Sequence, residues 1–253
     1  MLLTVGMKAM RWPEFYIPGA LTPPAATAGP IGAEPGLSGR LLAHLRRTAE
    51  RYRDEPALFG WQVENEPFNR SGPSGWWIAP DLLRAEIAAV RELDQRPIAV
   101  NAFAHFNRDV DRRSRVASGW CKPSPEAQAL AAAPDILGLD VYSRMRHAAG
   151  GDQRTLKAAR DCTRRAGRWR RAAQRAGKQA WIIECQAEPW ELSPAAMEEA
   201  ASFGPDDAVD VFAGLVRAGF DTVLLWGAEH WLWRAEAGDR SWLEMARRLI
   251  GRA

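Results

Sequence analysis

The chain is poor in the residues that build metal sites and disulfide frameworks: 253 residues carry three cysteines and four histidines. Cys121, Cys162 and Cys185 are odd in number, and no two have metal-ligand spacing, which argues against a disulfide scaffold and against a zinc site. No apolar run reaches the roughly 18 residues that a membrane-spanning helix needs. The opening MLLTVGMKAMRW lacks a basic start, a long apolar stretch and a small-residue cleavage site, so it reads as a strand and not as a signal peptide. Strong net charge is missing too. The formal charge is +3, although the pI is near 9.0. That balance speaks against a nucleic-acid protein. Much of the basic character sits on one helix, as Arg164, Arg165, Arg168, Arg170, Arg171 and Arg175, and reads as a solvated face.

What is plentiful is apolar residue and tryptophan. Hydrophobic residues make up 47% and charged residues 26%, an ordinary globular composition. Twelve tryptophans are unusual. Indole offers a flat apolar face with an N–H handle, and sugar rings have C–H faces that lie on such surfaces. For any single tryptophan, core packing is the simpler reading.

Apolar strands alternate with amphipathic helices along the chain. Strands are expected at 2–6, 57–63, 97–103, 136–141, 179–185 and 222–226. Helices are expected at 37–53, 80–94, 124–132, 156–176, 205–218 and 241–249. Ser38 is the expected cap of the first helix, and Leu41, Leu42, Leu45, Ala49 and Tyr52 form its apolar stripe. Residues 18–36 read as a Pro/Gly/Ala-rich loop. The pattern is that of an α/β fold of the (β/α)8 TIM-barrel type in one domain over 1–253. About six βα units are visible where a closed barrel has eight, so the barrel is expected to be incomplete at its N-terminus.

Two strand ends carry the chemistry. The run Trp61-Gln62-Val63-Glu64-Asn65-Glu66-Pro67 is an apolar strand ending in Asn-Glu-Pro. Strand alternation puts Gln62, Glu64 and Glu66 on one face. A carboxylate at the C-terminal end of a barrel strand reads as catalytic. The run Ile182-Ile183-Glu184-Cys185-Gln186 repeats the arrangement. Two such glutamates make the carboxylate pair that glycoside cleavage uses.

With these motifs in this order, the sequence resembles the clan A glycoside hydrolases, which include the family 5 cellulases and the family 39 and 42 enzymes. The resemblance implies that Glu66 is the general acid/base at the end of the fourth barrel strand. It implies that Glu184 is the nucleophile at the end of the seventh, and that Leu2–Gly6 is the third strand, with the first two strands of the pattern absent. Burial and a nearby negative nucleophile would raise the pKa of Glu66. Asn65 would hydrogen-bond the sugar 2-hydroxyl, as the clan's Asn-Glu pair implies, and Tyr142 would hydrogen-bond Glu184. Trp226, ending the last strand, would floor the sugar subsite. His105, Trp12, Glu229 and Trp231 are further candidates for substrate contact, with His230 and Trp233 in the same expected loop. Trp76, Trp77 and Trp190 are candidates for outer subsites. Glu64 is expected to ion-pair beneath Glu66.

The function that follows is cleavage of a β-linked glycoside, oligosaccharide or polysaccharide with retention, with no metal or organic cofactor and no membrane or nucleic-acid partner. Two other readings stay open. One is a catalytically impaired, carbohydrate-binding barrel or truncated pseudoenzyme. The other is an unrelated α/β enzyme holding a metal on Glu66 and Glu188, which the lack of clustered histidine disfavours. An open barrel edge would invite self-association.

Overall fold

The computed structural model describes residues 1–11, 14–22, 29–32, 35–70, 72–103, 124–149, 152–157, 159–191, 197–198, 200 and 202–251. In chain order the elements are β1 (Leu2–Val5), a single 3-10 turn (Gly19–Leu21), β2 (Pro30–Ile31), α1 (Pro35–Tyr52), β3 (Gly60–Val63), β4 (Trp77–Ile78), α2 (Pro80–Arg91) and β5 (Ile98–Phe103). They continue with α3 (Pro125–Ala132), β6 (Ile136–Val141), β7 (Arg144–Ala149), β8 (Asp152–Lys157), α4 (Ala159–Arg175) and β9 (Gln179–Gln186). The chain closes with α5 (Pro205–Arg217), β10 (Val223–Trp226), α6 (Ala228–Glu236) and α7 (Ser241–Ile250).

Six strands form the main sheet in the order β1-β3-β5-β6-β9-β10. This is also their order along the chain. Parallel strands added one after another in chain order, with helices between them, make the singly wound topology of a barrel; a doubly wound sheet reverses its order part-way. The protein thus has an α/β fold with a six-stranded parallel part of a barrel. In register, Val5 sits opposite Val63, Gln62 opposite Ala99, and Trp226 opposite Gln186.

All six expected strands are present, each a short apolar run; β3, β5 and β6 are buried throughout, while β1 and β10 are mostly half-buried. Several other expectations change. Helix α1 starts at Pro35, so Ser38 lies inside its first turn and does not cap it. Its buried stripe is Leu37, Leu41, Leu45 and Ala49, four residues apart, while Tyr52 is exposed. The stretch read as a loop before α1 contains β2, which pairs with β4. Residues 156–157 belong to β8 of an antiparallel hairpin with β7, and the Arg-rich helix begins at Ala159. On that helix Arg164, Arg168, Arg171 and Arg175 are exposed, while Cys162, Ala166 and Ala173 are buried. The segment after β10, expected to be a loop, is helix α6.

The chain divides into two compact units. The first holds the described residues of Met1–Phe103, Pro123–Gly138 and Ala176–Gln179. Its core is built from the α1 stripe with Trp61, Val63, Leu83, Ile98 and Val100. Helix starts here are chemically marked: Pro80 opens α2 with Asp81 in the first turn, and Ser124 Oγ accepts from Ala127 N to cap α3. The second unit holds the described residues of Leu139–Arg175 and Ala180–Ala253. Leu139, Val141, Ile182, Leu215, Trp242 and Leu249 are buried in it. At the start of α5, Asp207 Oδ2 accepts from the Gly204 N–H at 3.0 Å.

Candidate active site

The first candidate carboxylate, Glu66, lies just beyond β3 in the first unit. Strand alternation does not aim it. The backbone leaves the extended region after Val63, and Glu64 (φ 60°) and Glu66 (φ 46°) both take the left-handed conformation. Non-glycine residues there are uncommon and mark strain that surrounding contacts must hold. The shared face expected for Gln62, Glu64 and Glu66 therefore ends at Val63.

Contacts from neighbouring segments hold the turn. Asn101 on β5 accepts from the Glu66 N–H at 2.8 Å and donates to Asn65 Oδ1 at 2.8 Å. Gln62 Nε2 donates to the same oxygen at 3.2 Å. Asn69 Nδ2 donates to Glu66 Oε2 at 3.0 Å. Glu66 is buried, at 8% exposure. Sequence reading passed over Lys8. It is 1% exposed, donates from Nζ to Glu66 O at 2.9 Å, and lies 3.2 Å from Glu14 Oε2 and 3.9 Å from Glu66 Oε2. A lysine in an unremarkable apolar stretch gives no sequence signal of this kind.

Glu64 was expected to ion-pair; the Lys8 charge does act on it, and two backbone amides also donate to its carboxyl. Oε1 accepts from Met7 N at 2.9 Å and Oε2 from Lys8 N at 2.6 Å. Gly6 (φ 130°) makes the approach possible, since a Cβ there would sit 2.3 Å from Glu64 Cδ. Complete burial pushes the Glu64 carboxyl up to about 7, against the lowering effect of the two amides and of Lys8.

The second carboxylate, Glu184, ends β9 in the second unit and is 5% exposed. Tyr142, directly after β6, donates its hydroxyl to Glu184 Oε2 at 2.6 Å. Trp190 packs edge-on against the Tyr142 ring, with centroids 4.9 Å apart. Cys185 points to the other face of β9, and burial pushes its thiol up to about 12, which leaves it a neutral apolar filler. Gln186, also missed in the sequence, bolts the end of β9 to the segment after β6. Its Oε1 accepts from Ser143 N at 2.8 Å and Arg144 N at 3.0 Å, and its Nε2 donates to Arg144 O at 2.7 Å.

Trp226 closes β10 half-buried, with Nε1 donating to Glu188 Oε1 at 3.0 Å. Trp231 is placed differently from expectation: it is 7% exposed and its indole N–H is committed to Ala187 O at 2.6 Å. It braces the segment after β9. Glu229 is exposed in the first turn of α6. His230 is buried against Trp242, and desolvation, then the Arg234 charge, lowers its pKa to about 4. Trp76 is buried edge-on to Phe15, Arg70 stacks over Trp77, and Trp190 is 41% exposed. Trp12 and His105 lie outside the described residues. Among the described residues no group of three or more His, Cys, Asp or Glu could hold a metal ion.

No family model matches the chain, and no curated protein matches it in sequence. Solved structures are similar to it in fold. A β-glucosidase from Pyrococcus furiosus is similar over 76% of this chain and 50% of its own, at 14% identity and TM-score 0.46. A β-galactosidase from Bacillus circulans sp. alkalophilus is similar over 76% of this chain and 34% of its own, at 11% identity and TM-score 0.49. A family 113 β-mannanase from Alicyclobacillus acidocaldarius is similar over 86% of this chain and 63% of its own, at 14% identity and TM-score 0.45. The chain spans about half the length of the first of these.

Proposed function

We propose that the chain belongs to a retaining glycoside hydrolase acting on β-linked sugars, with Glu184 as nucleophile and Glu66 as general acid/base. The observation that carries the reading is Glu184: a buried glutamate ending a parallel strand, with one oxygen held by a tyrosine hydroxyl at 2.6 Å. Tyr142 holds Oε2 and so orients the carboxylate that attacks the anomeric carbon. Glu66 gives its proton to the leaving oxygen as the glycosyl–Glu184 ester forms, then takes one from the water that cleaves the ester. Two donors fix Asn65 Oδ1, so a sugar hydroxyl would meet its Nδ2. Trp226, anchored through Glu188, offers the face for a sugar ring.

Incubation with an activated 2-deoxy-2-fluoro aryl β-glycoside tests this. The expected result is release of the phenol and a stable sugar adduct on the peptide that carries Glu184. An adduct elsewhere, or none with any β-glycoside tried, overturns it. One observation favours a second reading. The Lys8 ammonium 3.9 Å from Glu66 Oε2 suits a structural carboxylate and hence a barrel that binds sugar without cutting it. Oligosaccharide binding by calorimetry with no turnover would select that reading.

A further inference from the structure

We propose that Glu64 and Glu86 share one proton and act as a positioning pair that locks residues 6–8, and with them Lys8, against Glu66. Glu86 projects from α2 and is completely buried, and among the described residues neither of its oxygens meets an N–H or O–H donor. Its neighbour is the carboxyl of Glu64, which is also completely buried. Two adjacent carboxyls out of water cannot both carry charge. Placing one proton between them satisfies the geometry: Glu86 becomes the donor and Glu64 the acceptor.

The position of that proton follows from the other partners. Glu64 already accepts from two backbone amides, Met7 N and Lys8 N. Those amides favour its ionised form, while burial and the Glu64 charge push Glu86 well above the ordinary carboxylate range. Three segments contribute the charged groups that act on the pair: Lys8 after β1, Glu64 after β3 and Glu86 on α2. The consequence reaches Glu66 through the chain. The residue whose N–H is clamped by Glu64 is the one whose ammonium bonds Glu66 O and stands by its carboxylate. Loss of the proton would put two negative charges side by side and loosen residues 6–8. The clamp rests on the two amide contacts, and the sharing on the burial of both carboxyls and the missing donor to Glu86; only the effect on acid/base chemistry rests on the function proposed above.

The test compares wild type, Glu86→Gln and Glu86→Leu, with Glu86→Asp in place of the leucine variant should that one not fold. Infrared spectra in heavy water near neutral pH, taken in a Glu66→Gln background so that the proposed general acid adds no band, should show a buried protonated carboxyl with Glu86 in place and none with Glu86→Gln. Hydrogen exchange at Met7 and Lys8 should be as slow in Glu86→Gln, whose amide still donates to Glu64, as in wild type. It should be about tenfold or more faster in Glu86→Leu or Glu86→Asp. A protonated-carboxyl band that survives in Glu86→Gln, or unchanged amide protection in the leucine or aspartate variant, overturns the proposal. In an aryl β-glycoside assay the leucine variant should lose about tenfold in kcat with KM little changed, and glutamine should restore it. Should no variant or wild type turn over glycoside while the spectra and exchange behave as stated, the glycosidase reading falls and the positioning pair stands.

Discussion

Tyr142 and Glu184 form the shortest described contact that ties a neutral side chain to a candidate catalytic group. Tyr142→Phe removes a hydrogen bond to a carboxylate, worth about 1.5–3 kcal/mol. Aryl β-glycoside turnover should then fall roughly 10–100-fold in a protein that still folds. Glu66→Gln should lower the same rate by about 10²–10⁴-fold, the usual worth of a positioned acid/base. Steady-state kinetics of both variants check these figures. At this scale the sequence was partly legible. Glu66, Glu184 and Tyr142 announce themselves as polar residues at the ends of apolar strands. Lys8, Glu86 and Gln186 do not. A buried lysine and a glutamate on the inner face of α2 look like surface residues until their partners are known, and those partners are distant in sequence.

Helix α6 shows why some elements escaped the sequence. Gly227 precedes it with φ 137°, and a Cβ there would meet Ala187 O at 2.8 Å and Glu188 Cβ at 2.9 Å. A glycine followed by Ala-Glu-His-Trp-Leu-Trp reads as a loop rich in aromatics. Contacts from Trp231 and His230 turn it into a packed helix. The hairpin β7–β8 was hidden for another reason: its strands, RMRHAA and DQRTLK, carry no apolar alternation. Gly227→Ala should therefore be destabilised by about 1–3 kcal/mol, read as a lower thermal midpoint. The same helix sets an acid limit. The His230 pKa is lowered from 6.5 to about 4, so the unfolded chain binds more protons between those values and stability falls as pH drops through that window. Glu86, held well above 4.5 by burial and by the Glu64 charge, acts the other way: the folded chain keeps its proton, and stability falls as pH rises from about 4.5 through the raised folded value. Thermal midpoints against pH should lose the acid limb in His230→Phe and the alkaline decline in Glu86→Gln.

For the whole molecule, the strand order was legible because parallel βα units need apolar strands at regular intervals, and all six runs supplied them. The sheet has β1 and β10 as its end strands, and Leu224 on β10 is 39% exposed. Unpaired strand edges recruit other strands. Sedimentation should show concentration-dependent association, and Leu224→Lys should reduce it; a monomer at all concentrations would remove the edge from consideration. The left-handed pair at 64 and 66 has a consequence for how the protein can change. Glycine or asparagine at 66 would relax the backbone, whereas at 64 it would also strip the buried Met7 and Lys8 amides of their acceptor. A library selected for abundance or heat resistance should therefore enrich glycine and asparagine at 66 and keep Glu64, while one selected for sugar cleavage should refuse them at 66. Breeding this chain for robustness would thus steer it, through the easiest substitutions on offer, toward a stable barrel that no longer cuts.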